Sequence, residues 1–431
     1  MIKIDRQTGF KKQVKDNKMR IDLTIGLFGF GVVGGGLHEV LNRSKLLNAS
    51  IKSIVVKDPT KKRSIESRYF SYDKGVILND PEINVVVELI NDSEAAYAIV
   101  TEALKKGKHV VTANKKLIAE HLDELINLSR QNNVSLLYEA AVAGSIPILR
   151  NLEEYYNNDT LSSVQGIVNG TSNYILTQSN KGIAYQEALK QAQELGFAEA
   201  DPTLDVEGFD SKFKLILLIK HAFGISTTPD QVFNIGITKI HERDVRYALE
   251  KGLRIKLLAR AEKIGDQVIG FVAPHFVSSE QPAYGVNNEF NAVSVNALFS
   301  DRQVFYGKGA GSYPTASAVL SDISALQFEY RYEYRKSGND QVSFSDDFKL
   351  KIYASSTDEN ILKSLPFIET DEFYKSADFS YSTGWIAFNE LRRSIDRSAT
   401  DLSIVIVDEP LRAAGTESLY LEKNKTTFVA V

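Results

Sequence analysis

Residues 23 to 34, LTIGLFGFGVVG, constrain the fold more than any other stretch of the chain. A six-residue apolar run leads into Gly29, Phe30, Gly31, Val32, Val33 and Gly34, and a helical stretch, LHEVLNRS, follows. Glycines at the first, third and sixth places permit a tight turn and close backbone approach, which leaves the first helical N–H groups free to face a pyrophosphate. The order strand, turn, helix reads as the opening of a dinucleotide-binding βαβ unit. A second apolar run, IKSIVV, ends at Lys57 and Asp58. An acid here would bind the ribose hydroxyls of NAD, whereas a cation would accept the extra phosphate of NADP. Both are present, and Lys61, Lys62 and Arg63 follow, so the expectation is NADP with NAD as the alternative.

The alternation continues through INVVVELI (83 to 90), a helix over AAYAIVTEALKKG and the strand HVVTAN, as in a doubly wound sheet. Lys115 follows the C-terminal end of that last strand, the edge at which such sheets hold ligands. With 431 residues the chain exceeds one ordinary core, so two or three domains are expected. A net charge of -4 gives no general pull towards nucleic acid or membrane, and no apolar run is long enough to span a bilayer. There are no cysteines, and the six histidines lack the paired spacing of a zinc site. The first twenty residues hold seven lysines and arginines without a signal-peptide core, which reads as a basic extension on a cytoplasmic protein.

A second dense stretch, LGFAEADPTLDVEGFDSKFK, sets Glu199, Asp201, Asp205, Glu207 and Asp210 ahead of Lys214. Asp210 is placed as the N-cap of a helix, SKFKLILLIKHAFG, closed by Gly224 and apolar on nearly every side. Lys214 lies one helical turn beyond Asp210, on the same face. In the first turns of a buried helix both desolvation and the helix dipole disfavour a cation, so this lysine needs a carboxylate or a proton to exchange. A solvated acidic loop ahead of a core helix is the plainer account of the same residues.

The stretch resembles the substrate-binding motif of homoserine dehydrogenases, and the resemblance extends to VVTANKKLIA (110 to 119), YEAAVAGSIPIL (138 to 149), VNGTSNYILT (168 to 177) and GKGAGSYPTASAVLSDI (307 to 323). It implies reversible, NAD(P)-dependent interconversion of L-homoserine and L-aspartate 4-semialdehyde, in threonine and methionine biosynthesis. Lys214 would handle the proton, Asp210 would orient it, and Lys115 would polarise the same oxygen. Glu199 and Asp205 would bind the substrate ammonium, with Gly170 and Thr171 beside the substrate backbone. Thr112, Lys115, Gly196 and Gly311 would join the glycine loop and Lys57 at the cofactor. Gly196 as a helix C-cap, and Thr171 as a helix cap, are equally readable from the residues alone. The resemblance also implies a monovalent cation such as sodium at Glu139, Val142, Gly144 and Ile146; a glutamate that merely caps the crossover is the alternative. Asn91 and Asp92 stand where relatives carry small residues.

The expected architecture is α/β throughout. An N-terminal extension (1–20) precedes a Rossmann-type domain (21–145, completed by 305–328), an α+β substrate and dimerisation domain (146–304) and a small ACT-like α+β domain (329–431). A homodimer or homotetramer is implied, binding a small amino-acid substrate, with neither nucleic acid nor membrane as partner. The SSTDENI turn of the C-terminal part lacks the glycine that ACT effector sites use. Two other readings remain: a weakly active or regulatory homologue that binds cofactor or amino acid, and an oxidoreductase of another amino-acid aldehyde.

Overall fold

The computed structural model describes residues 21–44, 47–338, 342–397 and 401–413; the basic extension lies outside them. Strands β1 (Leu23–Phe28), β2 (Ala49–Val55), β3 (Phe70–Ser71), β4 (Val85–Glu88), β5 (His109–Thr112) and β6 (Leu136–Leu137) form a parallel sheet ordered β3-β2-β1-β4-β5-β6. Helices α1 (Val32–Arg43), α2 (Gly75–Leu78), α3 (Ser93–Lys105) and α4 (Lys115–Gln131) connect its strands. The strand order reverses between β1 and β4, so their C-terminal ends open a crevice where such sheets take ligands. Gly29, Asn91 and Lys115 all follow strand ends along that edge. Asp92 is the N-cap of α3, its side chain accepting from Ala95 N, which gives that departure from the family pattern a local role.

Beyond β6 the chain forms α5 (Ala140–Ala143), α6 (Leu149–Glu153), β7 (Leu161–Ile167), α7 (Gly170–Ser179), α8 (Tyr185–Glu194), α9 (Thr203–Val206) and α10 (Phe209–Phe223). It continues with β8 (Phe233–Asn234), α11 (Glu242–Glu250), β9 (Arg254–Ile264), β10 (Gln267–Val277), β11 (Phe290–Ala297), β12 (Asp301–Lys308) and α12 (Ser312–Leu326). The stretch IPILRNLEEYYN is helical only over α6 and a short 3-10 turn, Tyr155–Asn158. Its start is fixed by Glu139, whose carboxylate accepts the N–H groups of Ile148, Leu149 and Arg150. Helix α12 returns to the nucleotide sheet and packs on α1, where Ser312 Oγ donates to the Val32 carbonyl.

The C-terminal part contains β13 (Ser343–Phe344), β14 (Phe348–Ser356), α13 (Glu359–Ser364), β15 (Glu369–Lys375), β16 (Ser380–Ala387), α14 (Phe388–Arg397), β17 (Ser403–Ile406) and β18 (Arg412–Ala413). Apart from short flanking strands this is a βαββαβ unit with spatial order β17-β14-β16-β15. Strand β17 pairs with β10, so one mixed sheet runs β12-β11-β7-β9-β10-β17-β14-β16-β15. Sequence reading missed β15 because ETDEFYK is an exposed edge strand whose charges hide any alternation.

Helix α10 is the element that positions the site. Between Phe213 and Phe223 every residue is buried, against β9, β10, α4 and α6. Gly224, at φ 76°, ends the helix as expected. The start differs from expectation by two residues: Gly208, at φ 82°, is the N-cap, and Asp210 lies inside the first turn. A left-handed residue turns the chain abruptly there, which glycine adopts without steric cost.

Candidate active site

Three segments converge on the carboxylate of Asp210. Its Oδ2 accepts from Lys214 Nζ at 2.6 Å, one turn along α10. Its Oδ1 is 2.7 Å from Lys115 Nζ at the first turn of α4. Asn169 Nδ2 donates to Asp210 Oδ2 at 2.9 Å and to Asp205 Oδ1 at 2.7 Å, while Asn169 Oδ1 caps α7 by accepting Ser172 N. Lys214 also donates to the Val168 carbonyl at 2.7 Å. Two of the three ammonium donors are thereby used, leaving one for a ligand.

The charges of this cluster interact strongly because most of it is buried. Burial alone would raise the Asp210 pKa, but Lys115 and Lys214 hold it well below the usual carboxylate range. Burial lowers Lys214, against the opposing pull of Asp210, and the Lys115 charge lowers it further. Lys115 moves the other way, because Asp210 outweighs its own desolvation, and Asp205 and Glu199 add to the effect. Its side chain keeps 40% exposure, against 10% for Lys214. One lysine is thus a buried group whose proton is loosened, the other a firm cation at the mouth of the crevice.

The acidic loop divides by function. Asp201 accepts from Thr203 N and Oγ1, and Glu207 accepts from Thr238 Oγ1, so both hold the loop's own turns. Glu199 is exposed, and Asp205 is half-buried beside Asn169 with a pKa raised by burial and then by Asp210. Thr171 ties α7 to the loop by donating to the Phe197 carbonyl at 2.6 Å. A Cβ on Gly170 would lie 2.7 Å from the Glu289 carbonyl, so close backbone packing requires glycine there. Gly196, at φ 75°, follows α8 as a C-terminal turn.

On the nucleotide side, Gly29 has φ 93°, and a Cβ there would meet the Leu89 carbonyl at 2.4 Å. A Cβ on Gly34 would lie 2.3 Å from the Gly29 carbonyl, so helix and turn touch directly. At Gly31 the space beyond the Cα is open, no side chain caps α1, and its first turn carries no acid. Val32 is 71% exposed at the same opening, Val33 is half-buried, and Phe30 turns inward against Phe70 and His38. Gly311, N-cap of α12, brings a second uncapped helix start beside this loop. These features fit a dinucleotide's negative pyrophosphate. Asp58 accepts from Thr60 N and Oγ1, and Lys57, Lys61 and Lys62 are exposed without acid partners among the described residues. Thr112 is buried with its hydroxyl on Glu88, so its backbone is what remains for a cofactor.

The cation expectation meets a competitor at Glu139. Both carboxylate oxygens already accept N–H groups at the start of α6, and Arg150 Nε stands 3.9 Å away. The Glu139 side chain therefore acts as the cap of α6. Among the described residues no group of three or more histidine, aspartate or glutamate side chains could hold a metal ion.

Two acids escaped attention in the sequence. Glu88, at the C-terminal end of β4, is fully buried; it accepts from Thr112 Oγ1 at 2.5 Å and Ile90 N at 2.6 Å, and burial pushes its pKa to about 7. An acid inside the apolar run VVVELI was the available signal. Asp322 of α12 accepts from Glu139 N, and nothing local in VLSDI marks it.

Comparison with known proteins identifies the family. Residues 147–324 match the homoserine dehydrogenase family model, and residues 29–139 match that of the homoserine dehydrogenase NAD-binding domain. The homoserine dehydrogenase of Bacillus subtilis is 39% identical over 319 residues, 72% of this chain and 74% of that protein. That of Neisseria gonorrhoeae is 40% identical over 310 residues, 70% of this chain and 71% of its own length. A crystal structure of a homoserine dehydrogenase from Thiobacillus denitrificans superposes with a TM-score of 0.79 at 30% identity, over 90% of this chain and 98% of that one. By motif, fold and relatedness, the chain belongs to the homoserine dehydrogenase family, whose members use a nicotinamide dinucleotide.

Proposed function

We propose that the two-lysine site interconverts L-homoserine and L-aspartate 4-semialdehyde, with Lys214 as the group that exchanges the proton at the reacting oxygen. The observation that carries this reading is one carboxylate, Asp210, gripping both Lys214 and Lys115. When bound, the nicotinamide supplies or accepts the hydride. The chain's own residues handle what remains, the charge and the proton on oxygen.

In the reducing direction the aldehyde oxygen gains negative charge as its carbon gains hydride. The free donor of Lys214 hydrogen-bonds that oxygen and delivers a proton, helped by the burial that loosens it. Lys115 stays protonated beside Asp210 and stabilises the same charge electrostatically. In the oxidising direction Lys214 accepts the alcohol proton. Glu199 and Asp205 bind the substrate ammonium, a charge-assisted contact.

NADP is the preferred cofactor in this reading, supported by Lys57, Lys61 and Lys62, which have no acid partner among the described residues. A monovalent cation held by the carbonyls near Val142 would brace the crossover between the two sheets. Assembly as a homodimer or homotetramer is supported by edge strand β12, where Val304 and Tyr306 are exposed next to Leu298 and Phe299. No helix among the described residues is long and apolar enough to cross a membrane. Assay of the purified protein with L-homoserine and each cofactor tests the activity: homoserine-dependent reduction of NADP is expected. Its absence at saturating substrate and cofactor would overturn the reading.

A further inference from the structure

Glu88 ends β4, Thr112 ends β5, and the two are direct partners across that parallel pair. Both lie at the C-terminal edge, where such a sheet takes its ligands. A glutamate is seldom fully buried unless its oxygens are satisfied. Glu88, at 0% exposure, satisfies them on the two loops that leave this edge: Oε1 accepts Ile90 N at 2.6 Å, and Oε2 accepts the Thr112 hydroxyl at 2.5 Å. A leucine after this run of valines would be buried at less cost, but it could not hold an N–H and a hydroxyl in fixed relation.

The contacts continue towards the catalytic cleft. Thr112 Oγ1 accepts Asn114 N at 3.0 Å, and Asn114 Nδ2 donates to the Ile90 carbonyl at 3.2 Å, so the two loops are laced to each other as well as to Glu88. Asn114 Oδ1 then caps α4 by accepting Leu117 N at 3.0 Å. Lys115 is the first residue of that helix, and its Nζ lies 2.7 Å from Asp210 Oδ1. Glu88, Thr112 and Asn114 therefore lead in short steps from a buried carboxyl to the backbone that carries the more exposed lysine of the site.

We propose that Glu88 is the positioning residue for Lys115: it fixes the ends of β4 and β5, and through Asn114 the start of α4, so that the Lys115 ammonium reaches both Asp210 and the reacting oxygen. The proposal rests on the reading that Lys115 steadies charge on that oxygen. Glu88, wholly buried, acts only through these neighbours. A misplacement of about 1 Å at a catalytic group can cost on the order of a hundredfold in rate, so a group at this remove is within reach of turnover.

The test compares two variants of the full chain with the parent. Glu88→Met fills similar space without hydrogen-bonding, whereas Glu88→Gln keeps an oxygen for Ile90 N and turns an N–H donor to Thr112. Glu88→Met is expected to lower kcat for homoserine oxidation by about tenfold or more, and Glu88→Gln to restore it to within about threefold of the parent. Trace acetylation read by mass spectrometry, with Lys57 as the internal reference, follows the Lys115 amine directly. Released from Asp210, that amine is neutral more often, so Glu88→Met should label it faster by about threefold or more. The labelling comparison stands whether or not the parent turns homoserine over, so failure of the wider functional reading and failure of this proposal are told apart. If Glu88→Met does not fold, Thr112→Val, which removes only the hydroxyl between Glu88 and Asn114, carries the same two measurements. A purely structural Glu88 would lower the melting temperature alone. Equal labelling of Lys115 in parent and variant, or unchanged kcat in the folded variant, would overturn the proposal.

Discussion

Lys115 and Lys214 meet on opposite oxygens of a single carboxylate, and Asp210 is the only anion within ion-pair distance of either among the described residues. Their tasks therefore separate by burial. Lys214→Ala removes the group that exchanges the proton and should lower kcat by roughly a hundredfold to ten-thousandfold, with cofactor affinity nearly unchanged. Glu199→Ala should chiefly raise KM, because the substrate ammonium is bound in ground and transition states alike. Steady-state kinetics and melting curves on both variants check this; a stable Lys214→Ala protein with near-normal kcat would sink the mechanism.

Cofactor choice follows from the turn after β2. Asp58 spends its carboxylate on Thr60, whereas Lys57 is exposed and has no acid partner among the described residues. NADP should bind about tenfold more tightly than NAD, or roughly 1.4 kcal/mol. Lys57→Gln should erode that margin without weakening NAD. Direct titration decides, and a preference for NAD would show Asp58 in control.

Glu88 makes stability depend on pH. Burial raises its carboxyl from the ordinary 4.5 to about 7. Below the lower value the group is neutral in both folded and unfolded chains and costs nothing. As pH rises through the window from 4.5 to 7 the unfolded chain ionises first, and the folded state loses about 3 kcal/mol relative to it. Glu88→Gln, isosteric and always neutral, should therefore flatten the slope of stability against pH across this window. Urea unfolding at several pH values is the measurement, and parallel curves for the two proteins would refute the assignment.

The first turn of the C-terminal unit is already occupied from within. Asp401 Oδ2 accepts Thr357 N at 2.7 Å and Ser356 Oγ at 3.2 Å, and Asp358 caps α13 through Asn360 N. Donors that would meet an effector carboxylate are thereby satisfied. Threonine or methionine at millimolar concentration should change activity by less than about twofold, a coupling well under 1 kcal/mol. Clear cooperative inhibition by either amino acid is the contrary outcome.

Legibility in the sequence followed the range of the interaction. Asp210 and Lys214 share one helix, so helical spacing alone placed them together. The glycine loop was equally local. Lys115 could be placed at a strand end but not against Asp210, because that contact depends on how α4 meets α10. Gly170 and Thr171 were placed near the substrate, yet the bridge that the preceding Asn169 makes between Asp205 and Asp210 requires β7, α9 and α10 to arrive together. Glu139 reads as a ligand by resemblance, whereas only the start of α6 reveals its N–H partners. Strand β15 was invisible because an edge strand has almost no core-facing side to betray it.

Strand β10 is shared property. Its Ile269, Phe271 and Ala273 are buried against Phe348, Leu350, Ile352 and Phe388 of the C-terminal unit, while Val268 and Val272 belong to the core beneath α10. Cutting the chain before β14 would leave that first row of side chains facing water and open the strand's margin to other copies, an invitation to aggregation. The last unit would then be retained for solubility and folding even where it senses nothing, and a variant deaf to every amino acid would still be unable to discard it.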